Sequence, residues 1–376
     1  MKEMQFTAMV MMSMLALTLI LLLPRRAVRD RVFAQSRWKM AAALTLLAVQ
    51  FLLQYVFGFR EMGVTQAVTV NLLFFIPASV LLTMAVRGLQ LQGRQTWREW
   101  MPGVAAYGVT TVAIGTAALM AGDMLADTAA MHGAVYGGGV AYLAMQLVYA
   151  WRIKKGNDRL DEVLKNYYDR YMGDLLDWMR QAVNLLTLIA LAAPVLIFSS
   201  GLPLLAYALL IFFSIFYLVI RFICYGVAGD SRSVQAAEEN AEATTKAESA
   251  STFSDEEKAR VARAVERWTA RGGHLHSGIT MPVAAGEIGV PRYLLAAWLK
   301  TTEQQLFNPW LTHLRIEEAK RQLHEHPDWQ LETIAERCGF ASRSYFQTVF
   351  KKHTGLSPTE FIGQQTDTAG RISQGE

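Results

Sequence analysis

The sequence predicts an all-α protein: a bundle of seven membrane-spanning helices, then a domain of two helix-turn-helix subdomains joined by a connecting helix. Three observations predict it. Hydrophobic residues make up 52% of the 376-residue chain and the mean hydropathy is +0.20, above the norm for a soluble protein. Apolar runs of membrane-spanning length recur through residues 1–228, separated by loops that alternate between basic and nearly uncharged. In the last third, apolar residues repeat at helical spacing and are twice interrupted by a glycine turn that leads into a second short helix.

The first apolar run covers residues 5–23, with Arg25 and Arg26 after it. The charges follow the apolar stretch instead of preceding it, and no small-residue cleavage site stands between, so a retained helix with its N-terminus outside is expected. Six further spans are expected at residues 40–59, 68–86, 101–122, 131–150, 182–199 and 202–223. Lys and Arg number six in 25–39, three in 87–100 and seven in 151–181, against one (Arg60), none and none in the alternate loops. Cytoplasmic loops carry the excess of positive charge, so the pattern orients the C-terminal domain to the cytoplasm of a multi-pass inner-membrane protein.

Polar residues within the spans are few. Gln50, Gln54, Asn71, His132, Gln146 and Asn184 are candidates for an intramembrane ligand site, because an intramembrane polar group is costly unless partnered. Their alternative role is to bond a neighbouring helix. Gly133 and Gly137 form a GxxxG step and suit close helix packing, within the chain or across a homodimer. The loop 151–181 carries Leu160, Val163, Leu164, Tyr167, Tyr168 and Tyr171 on one helical face, and its acidic residues favour a subunit contact or a link to the C-terminal domain over an anionic lipid surface. Residues 229–254 are rich in Ala, Glu, Ser and Thr and read as a linker, partly helical at most. A tail is expected from residue 364 to 376.

The domain 255–363 opens with a capping box, Ser254 with Glu257. A first helix-turn-helix lies in MPVAAGEIGVPRYLLAAWLK, with Ala285 packed, Gly289 at the turn, and Arg292, Tyr293, Ala296, Ala297 and Lys300 on the outer face. A connecting helix follows over about 308–324, carrying Leu311, Leu314, Ala319 and Leu323 inward. The second helix-turn-helix, LETIAERCGFASRSYFQTVFKK, turns at Gly339 and is capped by Ser342. Tyr345, Phe346, Val349 and Phe350 face inward there, leaving Arg343, Ser344, Gln347, Thr348 and Lys351 outside, and Gly355 and Pro358 end the helix.

Gly339, Phe340, Ser344, Tyr345, Phe346, Phe350, Lys351, Lys352, Gly355, Ser357 and Pro358 fit the signature GF…SYF…FKK…G.SP. At these residues the chain resembles the AraC/XylS class of bacterial transcription regulators, over about 255–361. Arg315, Ile316, Ala319 and Leu323 match that family's connecting helix, and Phe361 with Ile362 depart from its frequent Tyr-Arg. The resemblance implies sequence-specific binding of double-stranded DNA through Arg343, Ser344, Gln347, Thr348, Lys351 and Lys352, with a lesser contribution from Arg292, Tyr293 and Lys300. Arg343 suits the O6 and N7 of guanine, Gln347 suits adenine, and Lys351 and Lys352 suit phosphate.

The function expected is a membrane-bound regulator that couples a small-molecule or protein signal to promoter binding. The competing expectation is a receptor or transporter whose C-terminal domain mediates protein contacts. No nucleophile and base pair, metal set or cofactor motif stands out, so no enzyme and no cofactor are expected. Cys224 and Cys338 suit a reducing compartment. His274, His276, His324 and His326 are expected to face solvent.

Overall fold

The computed structural model describes residues 2–169, 172, 174–196, 201–249 and 254–364, and among these the regular secondary structure is helical, with one isolated bridge between Tyr168 and Thr280. The helices are α1 (Lys2–Leu17, extended by a π turn over Thr18–Leu22), α2 (Arg25–Val28), α3 (Arg31–Phe57), α4 (Phe59–Met62), α5 (Val64–Gln90), α6 (Trp97–Ala121), α7 (Ala129–Lys165), α8 (Asp174–Leu196) and α9 (Leu202–Ala228). Then come α10 (Asp230–Ser249), α11 (Asp255–Ala270), a short 3-10 turn (Gly273–Leu275), α12 (Met281–Ile288), α13 (Arg292–Leu299), α14 (Phe307–Glu325), α15 (Leu331–Arg337) and α16 (Arg343–Thr354).

The chain divides into two units, Met1–Arg159 with Asp174–Gln235, and Leu160–Gly173 with Ala236–Glu376. In the first, α1 with its π turn, α3, α5, α6 and α9 are long and apolar enough to cross a membrane. The predicted spans 131–150 and 182–199 fall on α7 and α8, with residues 197–199 outside the described ones. Asp30 caps α3 by accepting from the backbone N–H of Val32 and Phe33 at 3.0 and 3.2 Å. Where the end of α5 and the start of α6 meet the middle of α7 a small charged cluster forms: Arg87 meets Glu99 at 3.0 Å and Arg152 meets it at 3.6 Å. Two α7 glycines are packed, Gly138, where a Cβ would meet Thr110 at 2.8 Å, and Gly156, where it would meet Arg87 at 2.7 Å, whereas Gly133 and Gly137 have nothing within 4 Å.

The second unit has two small cores strung along α14. Val261, Trp268, Met281, Ala285, Leu295, Leu299 and Leu311 bury together in one; Ala319, Leu323, Ile334, Ala335, Phe346 and Phe350 bury in the other. Gly339, between α15 and α16, has φ 77°, and a Cβ there would lie 2.5 Å from the carbonyl oxygen of Leu275, so both conformation and space call for glycine. The capping box predicted at Ser254 and Glu257 is present.

Three sequence expectations change. Residues 230–249 form a continuous helix, α10, where a largely irregular linker was expected. Ala, Glu, Gln and Lys are good helix formers, and Val234, Ala237, Asn240 and Thr244 recur at helical spacing on its buried face. His274 is 7% exposed, not solvent-facing, and packs its ring against Trp268; burial lowers its pKa. Ala296, expected on the outer face, is buried in the first core. Tyr171 lies outside the described residues, as does the tail from residue 365.

Candidate nucleic-acid interface

The second helix-turn-helix presents the expected face. Gln330 to Cys338 carries α15, Ser342 accepts the backbone N–H of Tyr345 at 3.2 Å to start α16, and Gly355 ends it with φ 81°. Phe346 and Phe350 are fully buried and Tyr345 and Val349 pack against the same core. Because that stripe faces inward, the opposite stripe faces out: Arg343, Ser344, Thr348, Lys351 and Lys352 are exposed and Gln347 is half-buried. The last turn is electropositive. His353 titrates below its ordinary value, through burial first and then through the neighbouring His313, Lys352 and Lys320. A cationic helix end beside an exposed Arg343 and a half-buried Gln347 suits phosphate and base-edge contact.

The first helix-turn-helix is built alike but is not open in the same way. Leu294, Leu295 and Leu299 hold α13 to the core, Lys300 is exposed, and Tyr293 is half-buried against that core. Arg292, the leading residue of α13, donates its Nη1 to the Oδ1 of Asn240 on α10 at 2.9 Å. Ala243 and Thr244 of α10 face Pro291, Arg292 and Tyr293 across a small gap.

The first subdomain and the connecting helix α14 are tied to the turn that follows α7. Arg315 is 2% exposed and sits on α14 between the two cores. Its Nε donates to the carbonyl of His274 at 2.9 Å, and its Nη2 donates to the carbonyl of His276 at 2.6 Å and to Asp169 Oδ2 at 3.1 Å. Asp169 is 4% exposed and also accepts the N–H of Gly278 at 2.7 Å. Desolvation lowers the Arg315 pKa, and Asp169 opposes the shift. Neither α12 nor α14 has a capping side chain of its own at Thr280 or Leu306. The turn supplies the missing acceptors: the carbonyl of Tyr167 takes the N–H of Met281 at 2.9 Å, and Asn166 Oδ1 takes that of Phe307 at 3.3 Å.

Asp169, Asn166 and Asn240 were not singled out from the sequence, and Arg315 only as a family match. One signal was available. Arg315 stands four residues after Leu311 and four before Ala319, on the inward stripe of α14, and a charge there requires a buried acid. Which acid answers it depends on chain 146 residues away.

The intramembrane candidates separate into groups. Gln50 and Gln54 on α3 both donate Nε2 to Asn71 Oδ1 on α5, at 2.6 and 3.0 Å. Gln146 bonds Ser79 and, at 3.0 Å, the hydroxyl of Tyr142. His132 pairs instead with Asp127 at 2.7 Å, both exposed, and Asn184 is exposed on α8. Those two converge with neither group.

Residues 284–364 match the family described as Helix-turn-helix domain. The chain is 38% identical over 76 residues to the transcriptional regulatory protein YesN of Bacillus subtilis, covering 20% of each chain. It is 38% identical over 74 residues to the HTH-type transcriptional regulator YijO of Escherichia coli, covering 20% of this chain and 25% of that one. It is 29% identical over 91 residues to the regulatory protein PocR of Salmonella typhimurium, covering 24% and 30%. The chain thus spans a minor part of each relative's length. No solved structure matches it. Residues 284–364 are a helix-turn-helix domain of the AraC type, the kind found in transcriptional regulators, and it follows a region of long apolar helices.

Proposed function

We propose that this chain is a membrane-anchored, sequence-specific DNA-binding regulator that couples a signal at the membrane to promoter occupancy. The bundle crosses the inner membrane seven times with its N-terminus outside, and the domain from residue 255 to 363 reads DNA from the cytoplasm. Arg343, Ser344, Gln347 and Thr348 read base edges, and Lys351 and Lys352 hold phosphate. Arg292, Tyr293 and Lys300 add contacts from the first subdomain. The observation that carries this reading is the outward stripe of α16, where exposed Arg343, Ser344 and Thr348 lead into a cationic last turn opposite the buried Phe346 and Phe350. α14 is 19 residues long, about 28 Å at ~1.5 Å per residue, a strut suited to two helices reading successive major grooves.

The test is genome-wide crosslinking of the tagged full chain to DNA, beside the double variant Arg343→Ala, Gln347→Ala. Peaks sharing two sequence elements about one helical turn apart, lost in the variant, are expected. An abundant, folded protein without variant-sensitive peaks would replace this reading with a receptor whose C-terminal domain binds protein.

A further inference from the structure

Within the first unit, a partly open cavity of about 420 Å³ is lined by residues of α1, α3, α5, α7, α8 and α9. Its wall is mostly apolar; the polar side chains on it include Gln5, Thr7, Tyr136 and Tyr207, and they gather most densely at Gln50, Gln54 and Asn71, with Ser79 and Tyr142 further along. Arg60 is the wall's one side chain charged at neutral pH among the described residues. Gln50 and Gln54 are 1% and 3% exposed, and although each gives its Nε2 to Asn71, the Oε1 of each is buried without a partner. Exchanging O and N of either amide does not remove the deficit, since a side-chain donor is then left where the oxygen was. Two unanswered amide oxygens in an apolar setting are costly, and a ligand donor would satisfy them. We infer that this cavity binds an uncharged, elongated amphiphile whose hydroxyl or amide N–H is received by Gln50 and Gln54, with its chain along the apolar wall. This supplies a ligand class for the signal in the proposed function.

The test uses a C16 primary alcohol bearing a diazirine and an alkyne, and its methyl ether, which lacks the donor, on the purified full chain in lipid nanodiscs without DNA. The alcohol is expected to label cavity peptides of α3, α5 and α9, at least fivefold more than the ether does. Gln50→Leu with Gln54→Leu should remove that preference. Gly139→Leu should reduce labelling by both probes, because Gly139 lines the cavity with open space at its Cβ. Equal labelling by alcohol and ether, or labelling of the exposed Leu119 and Met120 as strong as that of the cavity, would overturn the site as bulk lipid contact. With no DNA present, the result stands apart from the fate of the DNA-binding reading.

A different observation carries a second inference, which rests on the proposed function. Arg292 opens the reading helix of the first subdomain, where base contacts concentrate, yet it is bonded to Asn240, and Thr244 lies against the same turn. α10 joins α9 through Gly229 alone. We propose that α10 is a latch on the first turn of that helix: it holds the exposed Arg292 side chain away from DNA while Lys300 stays exposed to it, so that the first subdomain contributes less than the second in this state. Opposite substitutions test it, by fluorescence anisotropy of full chain in nanodiscs on a duplex recovered by crosslinking. Asn240→Ala should tighten binding severalfold, and Asn240→Asp, which gives Arg292 a charged partner, should weaken it. Neither should act in an Arg292→Ala background. Equal affinity for both variants, or the same sign for both, would overturn the latch. Loss of binding on Arg343→Ala alongside such a result would leave the DNA-binding reading intact.

Discussion

Asp169 and Arg315, 146 positions apart, form a buried ion pair at 3.1 Å that joins the turn after α7 to the midpoint of the helix between the two helix-turn-helix subdomains. The pair is further satisfied by backbone groups: Arg315 also donates to the carbonyls of His274 and His276, and Asp169 also accepts the N–H of Gly278. Removing one member strands the other in the interior. Asp169→Ala is therefore expected to destabilise the second unit by about 3–5 kcal/mol. Denaturant unfolding followed by tryptophan fluorescence checks this, since Trp268, Trp298 and Trp310 all lie in the adjoining core.

The proposed DNA contacts divide into two kinds, and salt separates them. Arg343→Ala is expected to cost about 1–3 kcal/mol on the best duplex and to relax preference at one position, whereas Lys351→Ala should weaken all duplexes alike and lower the salt slope by about 1. Anisotropy titrations at several salt concentrations distinguish them. Equal loss across all sequences for Arg343→Ala would move that residue to the phosphate group.

Gly339 gives a stability prediction of a different origin. Gly339→Ala forces a side chain into positive φ and within 2.5 Å of a carbonyl oxygen, so a loss of more than about 2 kcal/mol is expected. Gly355→Ala makes the comparison, because its φ is 81° but nothing lies within 4 Å of its Cβ. It should cost only the conformational part, about 1 kcal/mol.

His274 couples the stability of the first subdomain to pH. Burial lowers its folded pKa below the ordinary 6.5, so between those two values the unfolded chain holds a proton that the folded chain does not. Stability should therefore fall as pH drops through 6.5 and level off once below the folded value. His274→Phe should flatten that limb in denaturation midpoints measured at pH 8 and pH 5.5, and an unchanged slope would place the titration elsewhere.

Periodicity and punctuation alone made much of this protein legible. The apolar runs of membrane length, the glycine turns at 289 and 339, the caps at Ser254 and Ser342, and the inward Phe346 and Phe350 are local patterns, and the helices stand where those patterns put them. Local spacing also set the outward stripe of α16, because a helix that buries one face exposes the other. It did not disclose the partners of polar groups. Arg315 on an inward stripe calls for an acid, but nothing near it in the chain supplies one. Thr280 and Leu306 leave two helices uncapped until the Asn166–Tyr167 turn arrives from the far side of α7. Asn240 looked like linker until it met Arg292, and Gln50, Gln54 and Asn71 became one cluster only when α3 and α5 packed side by side. A helix arises from interactions within four residues, so sequence determines it. A buried charge, a borrowed cap or a polar cluster is satisfied across long stretches of chain, so the tertiary fold alone decides it.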